Sequence, residues 1–322
     1  MASEGKELQR MSFSTRSQFE KTLDRGFLIL TRSSAIAIAV LLIAIAATLA
    51  YRAFPAMQTY GLGFLVGQEW NPVAGRERYG VLPMLYGTLA SSAIALVIAV
   101  PLGIGTAIFL SEDFLPRPLK LTLVFLVELL AAIPSVVYGL WGIFFVIPLL
   151  QPTSSWLHQH LSWLPLFSTA PVGPGLLPAG IVLAIMILPI ITALSRSSLN
   201  ALPADLRQAA FALGATRWET ILRCLLPAAA SGIVGAVVLA LGRAMGETMA
   251  VTMLIGNSNQ LSTSLLAPAN TIASLLANQF AEAKNLQVAA LMYAGLMLLL
   301  STLLVNSGAE VIVRRVRRGS GG

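Results

Sequence analysis

The chain alternates long apolar runs with short polar links, at a scale set by the bilayer. Residues 33–51, 80–111, 176–195 and 286–309 carry no charged side chain. Residues 121–150 carry only Glu128, and residues 228–256 only Arg243 and Glu247. Each run reaches the roughly 20 apolar residues that a membrane-crossing helix needs. The pattern therefore predicts an all-α helical bundle with six spans. Pro134 falls inside the third of them, and Glu128 about two turns inside its start.

Residues 129–195 contain no Asp, Glu, Lys or Arg, so hydropathy does not segment them. The clusters Gln151-Pro152-Thr153-Ser154-Ser155 and Pro171-Val172-Gly173-Pro174-Gly175 are strong helix breakers, and an external loop is expected between them. Trp156, Trp163 and Phe167 suit a membrane–water interface. Elsewhere outside the spans, Phe19, Leu23 and Phe27 are spaced for an interfacial helix before span one. Residues 52–79 read as a solvated loop, and 270–283 as an external helix with Ile272, Leu275, Leu276 and Phe280 on one face.

Orientation follows from the basic residues. All 21 Lys and Arg except Arg52, Arg76, Arg78, Lys284 and the intramembrane Arg243 fall in one alternating set of segments. That set is the N-terminal stretch, the link after span two, the 196–227 loop and the tail. Positive charge marks the cytoplasmic side, so both termini are expected there. The resulting division is a basic N-terminal segment at 1–32, a six-span body at 33–310 and a basic tail at 311–322.

Composition narrows the function. Charged residues make up 11% of the 322, against about 25% in a soluble domain, and mean hydropathy is +0.79. A soluble enzyme, a disordered chain and a disulfide scaffold are excluded. The net charge of +7 belongs to cytoplasmic loops and lipid contact rather than to nucleic acid. One cysteine, Cys224, excludes an internal disulfide. None of Lys6, Lys21, Lys120 and Lys284 sits in a phosphate-binding glycine loop, so the chain is expected to bind no nucleotide that way. His158 and His160 are too few ligands for a metal site. No catalytic residue, metal or cofactor is expected in this chain.

Two segments carry chemistry. The first, at 204–228, reads ADLRQAAFALGATRWETILRCLLPA. Asp205 with Gln208, and Thr216 with Glu219, have capping-box spacing. Leu206, Ala209, Ala210 and Leu213 share a helical face, and Gly214 suits a C-terminal stop. Two short helices joined by a glycine turn are predicted, either resting on headgroups or docking a partner.

The second lies in span five, where Arg243 and Glu247 are four residues apart and share a face if the helix is continuous. They form either a structural ion pair or a polar path for an anion. An arginine at mid-membrane costs at least about 2.5 kcal/mol on insertion scales. Its planar donors match an oxyanion. Gly242 and Gly246 would let neighbouring helices pack close.

The first segment resembles the EAA loop of ABC-importer permeases, EAA-x3-G-x9-I-x-LP, through Gln208, Ala209, Ala210, Gly214, Leu226 and Pro227. Gln208 stands where the pattern has Glu, and Cys224 where it has Ile. The stretch GRAMGETMAVTMLIGN at 242–257 resembles span five of the C-type permeases of phosphate-specific ABC importers. Residues 79–112, 132–140 and 270–283 extend that resemblance over most of 79–310.

The resemblance implies a type I importer permease fold in a bacterial inner membrane, moving phosphate inward by alternating access. It also implies an A-type permease partner, a pair of ATPase subunits holding ATP and Mg, and an external phosphate-binding protein. The 208–227 residues would then couple to the ATPase, and Arg243 and Glu247 would serve phosphate passage. Alternatives are an ATP-independent anion channel or secondary transporter, an ABC permease for another anion, or a membrane scaffold.

Overall fold

The computed structural model describes residues 18–319 except Ala74, with side chains from 24 to 311. The N-terminal basic residues up to Arg16, and the side chains of Phe19, Leu23 and the tail arginines, lie outside the described residues. Two units divide at Tyr51 and Arg52.

Helix α1, Gln18–Tyr60, is continuous, so residues 19–27 do not form a separate interfacial helix. From Phe27 to Ile45 its large apolar side chains are exposed. It also passes the expected boundary at 51 and carries Pro55 inside. The expected 52–79 loop therefore begins as helix.

In the second unit, α2 (Gly63–Val66) and a two-residue antiparallel pair, β1 (Trp70–Asn71) with β2 (Arg78–Tyr79), lead into α3, Leu82–Ser111. The core helix is α7, Leu176–Asn200. It buries Val182, Leu183, Ile187 and Ile191 against Ala95, Ala99 and Gly103 of α3. On its other flank it meets Ala240 and Ala244 of α10, Leu226–Gly246. Small residues on the flanking helices let backbones approach, which drives association where lipid offers no hydrophobic gain.

A second core gathers Phe64, Trp70, Tyr79, Ile272 and Leu275 around Tyr293 of α13, Leu286–Gly319. The Phe64 and Tyr293 rings stack at 4.3 Å. Helix α12, Ile272–Gln279, spends its apolar face here, so that face is not free to rest on lipid. Phe280, just beyond α12, stays exposed.

Among the described residues, six helical runs are long and apolar enough to cross a membrane, as the hydrophobic pattern predicts. The third and fifth differ in position, the fifth running over Arg217–Gly246 instead of 228–256. Helix α4, Arg117–Ala132, ends before Pro134, because Ile133 and Pro134 adopt extended backbone. Proline disfavours helix in the residue before it and removes a donor. The crossing run is instead 135–161, built from α5 (Ser135–Trp141), a π-helical segment (Gly142–Val146) and α6 (Ile147–Leu161). The Tyr138 hydroxyl donates to the Leu130 carbonyl at 2.9 Å, stitching the break.

Glu128 therefore lies on the exposed surface of α4, not within the crossing run. The expected breaker at 151–155 is helical, with Pro152 inside α6, and only 162–175 links to α7. His158 and His160 sit in the last turn of α6, with Nδ1 atoms against the carbonyls of Phe167 and Trp156.

Candidate functional site

The hairpin at 204–225 forms for local reasons. Helix α8, Ala204–Ala212, starts after Pro203, so Asp205 lies inside the first turn and makes no cap. The expected Asp205–Gln208 box is absent because the N-cap position precedes both. The stop is as expected. Gly214 has φ +82, and the amides of Gly214 and Ala215 donate to Phe211 and Ala210 at 2.9 and 3.1 Å. This paired pattern is the Schellman motif, which glycine at that position permits. The second box forms in full. Thr216 accepts from the Glu219 amide at 3.3 Å, and Glu219 accepts from the Thr216 amide at 2.9 Å.

Helix α9, Arg217–Glu219, runs through a π-helical stretch, Thr220–Leu225, into α10. Ala210, Ile221 and Leu225 are buried, with Leu206 packed alongside Ile221 and Leu225. Gln208, Ala209 and Pro227 are exposed, and Leu226 is half-buried. Leu213 is 89% and Trp218 60% exposed, beside exposed Phe211 and Leu222. The predicted four-residue face therefore splits: Leu206 and Ala210 turn inward, Ala209 and Leu213 outward.

A turn after α3 holds this hairpin. Arg207 donates through Nε and Nη2 to Glu112 Oε1 at 3.2 and 3.1 Å, and through Nη2 to the Leu199 carbonyl at 3.2 Å. Arg217 donates to the Asp113 carbonyl at 3.3 Å and lies 5.2 Å from the centre of the Phe114 ring. Trp218 packs on the same ring at 5.8 Å. Sequence reasoning missed Glu112, Asp113 and Phe114, because nothing local in that link signals its long-range partners.

Span five is not one helix. Helix α10 ends at Gly246, Glu247 is extended, and α11 begins at Met249 and ends at Leu254. The i, i+4 face of Arg243 and Glu247 therefore does not exist. Among the described residues, ion pairs form at Arg78–Glu69, Lys120–Asp113 and Arg207–Glu112, and none joins Arg243 to Glu247. The freed backbone is satisfied locally: Glu247 Oε1 accepts from the Ala250 amide at 3.4 Å, and the Thr248 hydroxyl donates to the Gly246 carbonyl at 3.2 Å. Irregular backbone at membrane depth is tolerated where protein buries it or a polar cavity adjoins it.

Two clefts flank the break at Glu247. The larger, about 880 Å³, is lined by Gly242 and Arg243 of α10 and by Leu303, Asn306, Ser307 and Glu310 of α13. The smaller, about 490 Å³, is lined by Gly246 and Thr248 with Ala273, Leu276 and Phe280. Buried Ala244 and Met245 lie between the two linings in sequence. Asn306 was missed at the sequence level. Its signal was a lone asparagine in an uncharged apolar run, where an unpaired amide costs about 1–3 kcal/mol.

The family model described as "Binding-protein-dependent transport system inner membrane component" matches residues 99–318. The phosphate transport system permease protein PstC of Mesorhizobium japonicum is 45% identical over 297 residues, covering 90% of each chain. That of Pasteurella multocida is 44% identical, covering 90% of this chain and 92% of its own. Among solved structures, a bacterial alginate ABC transporter in complex with its alginate pentasaccharide-bound periplasmic protein matches with a TM-score of 0.61. The match covers 93% of this chain and 98% of that one, at 17% identity, and so bears on fold alone.

Proposed function

The chain belongs to the binding-protein-dependent transport system inner membrane component family, and from that premise we propose that it is the permease through which an ATP-driven importer moves inorganic phosphate into the cytoplasm. It is a multi-pass membrane protein and a transport component, with the fold of ABC importer permeases. The similarity to phosphate permeases over nine-tenths of the chain carries the substrate assignment. ATP and Mg belong to separate ATPase subunits, since no phosphate-binding glycine loop precedes any of the four lysines here. An A-type permease completes the membrane part, and an external binding protein delivers phosphate.

The hairpin takes the ATPase side. Its exposed Phe211, Leu213, Trp218 and Leu222 form an apolar surface on a short, well-capped element, as a part seated in a partner's groove requires. Gln208 and Ala209 share its outer side. In an ATP-independent channel this surface would have only lipid headgroups to meet. With the hairpin at the cytoplasm, the positive-inside bias sets both termini there.

Arg243 and Glu247 take separate duties. Arg243 lines the larger cleft and has no ion-pair partner among the described residues. A guanidinium offers paired N–H donors to two phosphate oxygens. Glu247 holds the start of α11 and shapes the break. Alternating access then exposes the cleft to each side in turn as the ATPases close and open.

The test is ATP-dependent uptake of radiolabelled phosphate by the reconstituted four-component system. Arg243→Ala should abolish uptake in an assembled complex, while Arg243→Lys should keep part of it. Normal uptake by Arg243→Ala would refute the pathway role. Uptake without ATPase subunits would refute the importer.

A further inference from the structure

We propose that Asn306 is a phosphate-binding residue of the cleft, giving the ion a neutral hydrogen-bond donor beside the charge of Arg243. The proposal rests on the reading of that cleft as the phosphate path. Both residues line it, from α13 and α10.

Three observations single out Asn306. First, its Oδ1 is buried without a hydrogen-bond partner. No hydrogen bond engages its Nδ2 among the described residues either, so the NH2 group is the end open to the cleft. Secondly, two polar residues a turn or more earlier on the same helix behave differently, whereas Ser307, also in the lining, shares the open state of Asn306 among the described residues. Ser301 and Thr302 donate back to the Leu298 carbonyl at 2.9 and 2.8 Å, satisfying themselves within the helix. Thirdly, α10 approaches the amide. A Cβ at Gly242 would stand 3.5 Å from Asn306 Nδ2 and 3.9 Å from its Oδ1, ordinary contact distances, so the amide lies against α10 beside the residue preceding Arg243.

The chemistry follows from the ligand. Phosphate is tetrahedral, and one guanidinium engages two of its oxygens along one edge. The remaining oxygens lose their water on entering the cleft and need other donors, because an unpaired buried polar group is costly. A second cation would supply them but deepen the well from which the ion must leave. An amide supplies two N–H donors with no net charge. Asn306 therefore compensates dehydration without trapping the ion.

The experiment uses the reconstituted complex with saturating phosphate-loaded binding protein. It measures phosphate uptake, binding-protein-stimulated ATP hydrolysis and recovery of the assembled complex. Asn306→Asp preserves size and reverses the donor chemistry. It should lower uptake about tenfold or more, as expected for losing a hydrogen bond to a charged group, while hydrolysis and recovery stay near the parent. Asn306→Ser, with a shorter donor, should fall between.

Uptake by both variants within twofold of the parent would overturn the proposal. So would a loss of uptake that only follows a loss of hydrolysis or recovery, which would mark Asn306 as a helix-packing residue. Arg243→Ala run alongside separates the two readings. If it is inactive while Asn306→Asp is normal, only the present inference fails. If it is normal, the phosphate path itself lies elsewhere and both fail.

Discussion

Arg207 and Glu112 are 95 residues apart in sequence and joined at 3.1 Å in space, tying the hairpin helix α8 to the end of α3. Their side chains are only 23% and 12% exposed. The pair is a mechanical link, because α3 packs along the core helix α7. Glu112→Ala should destabilise the hairpin by about 1.5–3 kcal/mol, the range for a charge-assisted hydrogen bond. The drop would appear as faster amide exchange over 204–212. The exchanged pair, Glu112→Arg with Arg207→Glu, should recover part of the protection, and no recovery would show that the ionic contact is not what holds α8.

Gly214 adopts a left-handed backbone at φ +82, with open space around its missing side chain. Any penalty for substitution is therefore conformational rather than steric. Gly214→Val should cost about 1–2 kcal/mol, and Gly214→Asn distinctly less. Limited proteolysis of the hairpin and co-purification of the ATPase subunits would read the difference. Equal behaviour of the two variants would contradict the argument.

The Glu219 carboxyl is held below the usual carboxylate range, chiefly by the Thr216 backbone amide and then by its hydroxyl. A depressed folded-state pKa means the cap is fully formed above the unfolded-state value near 4.5 and is lost as pH falls through the lower folded value. Amide protection at 216–220 should hold at neutral pH and fall in acid below that range. Glu219→Gln should remove most of the pH dependence, because its side chain does not titrate. An unchanged acid profile in that variant would assign the effect elsewhere.

At Gly87 a Cβ would collide with the Asn270 carbonyl. Beside it, Thr88 Oγ1 accepts the Ile272 amide at 3.1 Å. Gly87→Ala should therefore push α12 off α3 and cost about 1–3 kcal/mol, as overpacking does. Thr88→Ala should cost a similar amount by leaving a buried N–H unpaired. Thermal unfolding in detergent would register both, and a wild-type midpoint for Gly87→Ala would disprove the close approach.

Much of the local chemistry was legible in the sequence, though not the Asp205–Gln208 box, which Pro203 pre-empts at the N-cap, and long-range chemistry was not. The Thr216–Glu219 box and the Gly214 stop were readable because each depends on residues within a few positions. The number of spans was readable because it depends on apolar length alone. The third span was misplaced because 129–195 lacks any charge to mark its ends. Two prolines there also act in opposite ways: Pro134 breaks its helix, whereas Pro152 is carried inside one. The break at Glu247 has no proline to announce it. It depends on side chains that satisfy the opened backbone, which spacing does not reveal. Arg243 and Glu247 were visible as unusual residues, but their separation into different elements was not, and Asn306 gains its meaning only from the helix opposite.

The interruption at Glu247 also changes what keeps each charge comfortable. Peptide dipoles align head to tail, leaving a helix partly negative at its C-terminus and partly positive at its N-terminus. Arg243 sits in the last turn of α10, and Glu247 takes an N–H at the start of α11. Each is therefore balanced by the field of its own half-helix instead of by the other. A guanidinium steadied in that way gives up no ion pair with Glu247 when it turns to another partner, and the two charges answer to separate helices.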